Sequence, residues 1–187
     1  MWDHRLFEPL FREVNYIGHM SEVKITSGYV PGSIGRVVEL HGTYYHAHWG
    51  FGPFFESKVA SEMAEFIGRY DKNQDGFWTA SLEDRIEGSI TIDGIHAKNE
   101  GAHLRWYIMS DRLRGKGAGN LLIQTAIDFC RKKNYERIYL WTFEGLFAAR
   151  HLYEKYGFQL VKQQKGKQWG KVVTEQKFEL LIKKHPI

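Results

Sequence analysis

Six residues constrain this chain more than any others: Arg114-Gly115-Lys116-Gly117-Ala118-Gly119. They follow an apolar run at 104–109 and open a stretch in which Ala118, Leu122, Ala126, Phe129 and Cys130 recur at helical spacing. Glycines at 115, 117 and 119 let the backbone approach a ligand closely. Where a helix begins, the free N–H groups and the positive end of the dipole make an anion site. The unit these six residues sit in is strand, glycine-rich turn, helix. Pyrophosphate is the natural guest for such a turn. Asn120 stands where a third glycine would complete a dinucleotide fingerprint, and the G-K-[ST] ending of a P-loop is missing, so both readings drop out. The competing reading is a glycine-rich surface turn that only starts a helix.

The rest of the chain supplies the sheet. Its 187 residues suit one domain with an extension, and 43% hydrophobic and 15% aromatic residues suffice for a sizeable core. No apolar run approaches the roughly 20 residues of a membrane span, and Asp3, His4, Arg5 and Glu8 interrupt any signal-peptide core. The lone Cys130 leaves no internal disulfide and no multi-cysteine zinc site. A soluble, cytoplasmic protein is the expectation. Residues 1–22 read as an appendage, with Leu6, Phe7, Leu10 and Phe11 on one side of a short helix, and 23–187 as a single domain.

Within that domain a strand is expected at 23–25. A helix capped by Ser33 carries Ile34, Val37, Val38 and His41, and a second carries Phe55, Val59, Met63, Phe66 and Ile67. Strands follow at 77–82, 85–92 and 104–109, then the long helix and an apolar central strand at 138–143. A short helix ends at Gly157. A last strand pair, 158–161 and 173–182, flanks a loop holding Lys162, Lys165, Lys167 and Lys171. The predicted order is β-α-α-β-β-β-α-β-α-β-β.

At this point the chain resembles the GCN5-related N-acetyltransferases. Arg114-x-x-Gly117-x-Gly119 is similar to that family's pyrophosphate loop between the fourth strand and the third helix, and Leu152-Tyr153-Glu154-Lys155-Tyr156-Gly157-Phe158 to its L-Y-x-K-x-G-F segment. The resemblance spans roughly 22–182. Residues 35–70 and Ala148-Ala149-Arg150-His151 look like acetyltransferase domains fused to MarR-type regulators, without the winged helix. It implies an α/β fold: a mixed, mostly antiparallel twisted sheet of six to seven strands, splayed between the fourth and fifth and flanked by four helices. It implies acetyl-CoA as cosubstrate in that gap, with no metal and direct transfer to a primary amine of a small molecule or peptide. Backbone at Tyr107, Ile108 and Met109 would bind the pantetheine arm. The N–H groups of Arg114, Gly115, Lys116, Gly117, Ala118, Gly119 and Asn120 would bind the pyrophosphate, and Tyr153 would be the general acid. Where the family often places an asparagine seven residues before that tyrosine, this chain has Leu146. Pairing into a homodimer is compatible with the resemblance.

For a general base the residues offer Glu100, His103 and Glu144 nearby in sequence, each equally readable as a solvated loop group. Tyr44, Tyr45, Trp49, Phe51, Phe54 and Phe55 crowd the end of the first helix and the loop after it, suggesting an apolar, aromatic-walled acceptor site or simply core closure. Asp71 to Gly76 opens like a calcium loop but has Leu82 at its twelfth position, and His46 and His48 diverge on a helix. The net charge of +4 is modest for a nucleic-acid binder; Arg112, Arg114 and Lys116, with Arg131, Lys132 and Lys133 further on, give much of it an address near the anion loop. A non-catalytic acyl-CoA sensor is the alternative to an enzyme.

Overall fold

The structure, a computed structural model, describes residues 23–182. The appendage predicted at 1–22 lies outside the described residues. Seven strands, β1 (Val23–Ser27), β2 (Gly76–Leu82), β3 (Arg85–Asp93), β4 (Ala102–Met109), β5 (Arg137–Phe143), β6 (Gln159–Gly166) and β7 (Val173–Leu181), form one sheet ordered β1-β2-β3-β4-β5-β7-β6. All neighbours are antiparallel except β4 and β5, which are parallel. Helices α1 (Ser33–Trp49) and α2 (Pro53–Gly68) cover one face, and α3 (Ala118–Lys132) and α4 (Phe147–Lys155) cover the other. The order of strands and helices is the one the sequence predicts.

Each face has its own core. Beneath α3, Leu122, Ile123, Ala126 and Ile127 meet Ile90, Ile92, Leu104, Ile138 and Leu140 from the sheet. Beneath α1 and α2, Val37, Val59, Met63 and Phe66 meet Phe77, Trp106, Ile108 and Phe143. α3 is amphipathic along its length and ends in Arg131 and Lys132, cations suited to the negative pole of its dipole. Cys130 sits inside this core, where burial raises its thiol pKa and keeps it protonated.

β4 changes face partway along. On β3, Thr91 opposes Arg105 and Ser89 opposes Ile108, so two steps on one strand match three on the other. The extra residue is taken up at Trp106, whose φ of 46° is left-handed, and the Ser89 hydroxyl donates to the Trp106 carbonyl at 2.7 Å. The bulge switches the side-chain alternation. Leu104 points into the α3 core, whereas Trp106 and Ile108 point into the α1/α2 core and Tyr107 and Met109 turn back to the α3 side.

Two local expectations are corrected. Ser33 is not the N-cap of α1: Gly32, at φ 84°, makes the left-handed turn into the helix, and Ser33 becomes its buried first residue. Lys162 and Lys165 are not in the last loop but in β6, which pairs with β7 through Gly166. That strand sits at the sheet edge and is exposed nearly throughout, so it has no buried face to imprint an alternation on its sequence.

Phe66, 1% exposed and edge-on to Trp106, ties α2 to the bulged strand. Phe66→Ala is expected to cost about 3–5 kcal/mol in denaturant unfolding; a loss under about 1 kcal/mol would show that α2 is not anchored there.

Candidate functional site

The parallel pairing of β4 and β5 covers only Ala102 with Ile138 and His103 with Tyr139. Beyond it the strands part, while β4 stays paired to β3 and β5 to β7 on their far edges. The sheet is therefore split down its middle. A cavity of about 400 Å³ occupies the split and is walled from both faces: His41, Tyr44 and Tyr45 from α1, Glu62 from α2, Tyr153 from α4, and Trp169 from the β6–β7 loop. Tyr107, Ile108 and Met109 run along its β4 side, together with Arg114 beyond the strand end.

After β4, a 3₁₀ turn at Asp111–Leu113 leads into the glycine loop. Gly115 and Gly117 have φ of 71° and 75°, and Gly117 caps α3 with no side-chain hydrogen bond. A Cβ at either glycine would meet nothing within 4 Å, so the backbone here faces open space. The first N–H groups of α3, from Ala118, Gly119 and Asn120, have no carbonyl a turn earlier within the helix to bond. At Gly119 the constraint is contact: a Cβ would lie 2.5 Å from the Tyr107 hydroxyl, so any larger residue requires the Tyr107 side chain to move. Asn120 ties α3 to α4, its side-chain oxygen accepting from Lys155 Nζ at 2.7 Å and its carbonyl from Tyr156 Oη at 3.1 Å.

The positive charge assigned to this loop is partly engaged elsewhere. Arg112 is bound by the buried Glu87 at 3.0 Å and by Glu83, and Glu87 also holds Arg36 at 3.0 Å. Arg114 pairs with Asp111 at 2.9 Å, but both are well exposed, and such a pair exchanges readily for another anion.

Tyr153 is buried in the α3 core with its ring 6.2 Å from Tyr107 and 6.1 Å from Phe178. Its hydroxyl has no hydrogen-bond partner among the described residues, yet is not sealed off, because the side chain lines the cavity. Burial, reinforced by the hydroxyls of Tyr45 and Tyr107, pushes its pKa well above the usual phenol value. Tyr45 is shifted up in the same way, by burial and then by Tyr44. Both are neutral donors throughout the physiological range.

The predicted aromatic wall is divided. Tyr44, Tyr45 and Phe55 line the cavity, whereas Phe51 packs into the core behind it, Trp49 stacks edge-on to Phe143 at 4.8 Å, and Phe54 is 59% exposed. Among the base candidates, Glu100 and Glu144 are exposed outside the cavity lining. His103 lines it, but its ring stacks on Tyr139 at 4.4 Å and burial, then Arg105, lowers its pKa to about 3. Leu146, at the asparagine position, presents an apolar side chain to the cavity.

Sequence reasoning missed His41 as anything but core, together with Glu62, Arg105 and Trp169. Glu62 is held by both Lys58 and Arg105, and Arg105 also reaches Asp93 at 3.3 Å and stacks over Trp106 at 4.1 Å. No local spacing signals these groups; the split sheet alone brings them together. The Asp71–Gly76 turn is an internal brace: Asp75 accepts from the Asp71 and Gly94 amides at 3.0 and 2.8 Å. Among the described residues, no set of three or more His, Cys, Asp or Glu is grouped to hold a metal, and no helix is long and apolar enough to cross a membrane.

Comparison with known proteins agrees with this architecture. Among solved structures, an acetyltransferase from Streptococcus agalactiae superposes with a TM-score of 0.66 at 19% identity, covering 86% of this chain and 98% of its own. YncA of Salmonella typhimurium, a putative acetyltransferase solved with acetyl-CoA, gives 0.61 at 14% identity over 87% of this chain and 96% of its own. Among curated sequences, the probable N-acetyltransferase camello of Xenopus tropicalis is 23% identical over 157 residues, 83% of this chain and 72% of that protein. The uncharacterized N-acetyltransferase MJ1207 of Methanocaldococcus jannaschii is 25% identical over 134 residues, 70% and 58% of the two chains. Residues 36–158, from the first turn of α1 through the end of the Tyr153 motif, match the model of the acetyltransferase (GNAT) family, and the chain belongs to that family.

Proposed function

We propose that the chain transfers the acetyl group of acetyl-CoA directly to the primary amine of an apolar or aromatic small molecule or peptide. The observation that carries this reading is the split between β4 and β5, which joins an open helix N-terminus on one face to an aromatic-walled chamber on the other. A CoA-sized anion has its determinants in one line. The amides from Arg114 to Asn120 would hold the pyrophosphate at the positive end of α3. The free edge of β4 at Tyr107, Ile108 and Met109 would hydrogen-bond the pantetheine arm as an added strand would.

The bound thioester supplies an activated acyl carbon. What the protein adds is placement and a proton. Tyr153, kept protonated by its burial, gives a hydrogen bond and then its proton to the departing sulfur. The walls at Tyr44, Tyr45 and Phe55 remove water from an entering amine and favour its neutral, nucleophilic form. The shortage of carboxylates argues against a polycationic acceptor, since Glu62 is already bound by Lys58 and Arg105.

Tyr153→Phe is expected to lower kcat for acceptor-dependent CoA release by about 10²-fold, within the range of general-acid catalysis, while acetyl-CoA binding by calorimetry stays within about twofold. Unchanged turnover would remove Tyr153 from the chemistry. Gly119→Ala should weaken acetyl-CoA binding by about tenfold, because the new methyl meets the Tyr107 hydroxyl. Adding Tyr107→Phe should recover part of that loss; no recovery would mean the contact does not set the loop.

A further inference from the structure

α1 carries a histidine whose surroundings its helical position does not explain. His41 is 5% exposed, and its Nδ1 lies 2.8 Å from the carbonyl of Val37, one turn earlier. A carbonyl only accepts, so Nδ1 carries the hydrogen and Nε2 is left with a bare lone pair. That nitrogen has no hydrogen-bond partner among the described residues, yet it is not a sealed orphan, because the ring lines the cavity. Burial lowers the imidazole pKa to about 4, the bond to Val37 offsetting only part of it, so the ring enters any reaction neutral. Its ring stacks on Tyr45 at 6.0 Å, and Tyr45 and Tyr153 both line the same cavity.

We infer that His41 Nε2 is the general base of the transfer, a role that rests on the acetyltransferase reading and adds to it the group that deprotonates the acceptor. The placement suits the division of the cavity by the sheet. Tyr153 reaches the split from the α3/α4 face, on which the glycine loop lies, and His41 reaches it from the α1/α2 face. A thioester seated between them meets its proton donor on the sulfur side and the amine's proton acceptor on the other. The other candidates are engaged: Glu62 by two cations, and His103 by stacking on Tyr139 beside Arg105.

The balance closes. The amine nitrogen forms the N–C bond, the carbon–sulfur bond breaks, and the electron pair leaves on sulfur, which takes the Tyr153 proton. The extra proton on nitrogen goes to His41 Nε2. It is far more acidic in the addition intermediate than in a free alkylammonium, which narrows the gap to an imidazole whose basicity burial lowers. The imidazolium then releases that proton to solvent while the Tyr153 phenolate takes one back, and the products are the amide and free CoA thiol.

The test uses the full chain with acetyl-CoA and two aromatic amines, 2-phenylethylamine and phenylalaninamide, following thiol release. His41→Asn keeps a donor for the Val37 carbonyl but has nothing at the Nε2 position. It is expected to bind acetyl-CoA within about twofold of wild type, with kcat reduced about 10²-fold and the acceptor KM changed less than about threefold. His41→Gly should be equally slow and should regain at least tenfold on addition of free imidazole. Turnover of His41→Asn within threefold of wild type would overturn the assignment. So would a loss matched by equal loss of acetyl-CoA binding with no imidazole rescue, which marks a packing role. If wild type binds acetyl-CoA but releases thiol with neither amine, the acetyltransferase reading fails for this acceptor class, and the base role fails with it.

Discussion

The feature on which the rest depends is the early end of one ladder. β4 and β5 exchange register over two residue pairs and then separate, although β4 stays paired to β3 on either side of its bulge and β5 to β7 throughout. Unpaired backbone in the middle of a sheet is costly unless another partner or water reaches it. Here the opening is held by side chains that cannot close it: Trp106 and Ile108 are committed to the α1/α2 core, and Tyr107 is pinned against Gly119 and Tyr153. The bulge at Trp106 makes both commitments possible at once, by sending successive side chains to opposite cores at the point where the strands part.

The electrostatics of the opening follow from the burial of its side chains. The hydroxyls of Tyr45, Tyr107 and Tyr153 are all shifted toward the protonated state by burial, and His41 and His103 toward the neutral one. These five side chains thus offer donors and acceptors without formal charge. The charged part of the lining is tied up in the Lys58–Glu62–Arg105–Asp93 chain, and a second group of charges, the Glu87 cluster, lies beside the glycine loop. The buried Glu87, bonded to Arg36 and Arg112, braces the segment leading into the loop, so part of the local positive excess maintains the protein rather than facing a ligand. The amides at the start of α3 are left as the proposed anion site.

Much of this was legible in the sequence, for identifiable reasons. α3 could be placed because its apolar positions recur at helical spacing and its start is marked by glycines with left-handed φ. β5 showed as an apolar run because both of its faces are covered, and β3 as an alternation of Ile86, Gly88, Ile90 and Ile92 with Glu87, Ser89 and Thr91. The glycine loop and the Tyr153 segment are local strings, and strings survive without a structure. The bulge was not legible: 104–109 read as one strand, and only the register against Ser89 and Thr91 shows that Leu104 serves one core and Trp106 and Ile108 the other. β6 was cut short because an edge strand in solvent leaves no pattern. His41 read as core, which it is by burial; that one of its nitrogens opens into the cavity depends on a strand separation more than sixty positions away in the chain.

The central claim is that acetyl-CoA occupies the split between β4 and β5 with its phosphates at the start of α3. Amide hydrogen exchange with and without acetyl-CoA tests this most directly, because it reads backbone groups and needs no acceptor. The account predicts slowed exchange in two separate segments, 104–109 and 115–120, with little change in β1 and β2. Saturating acetyl-CoA that left both segments unprotected would contradict it.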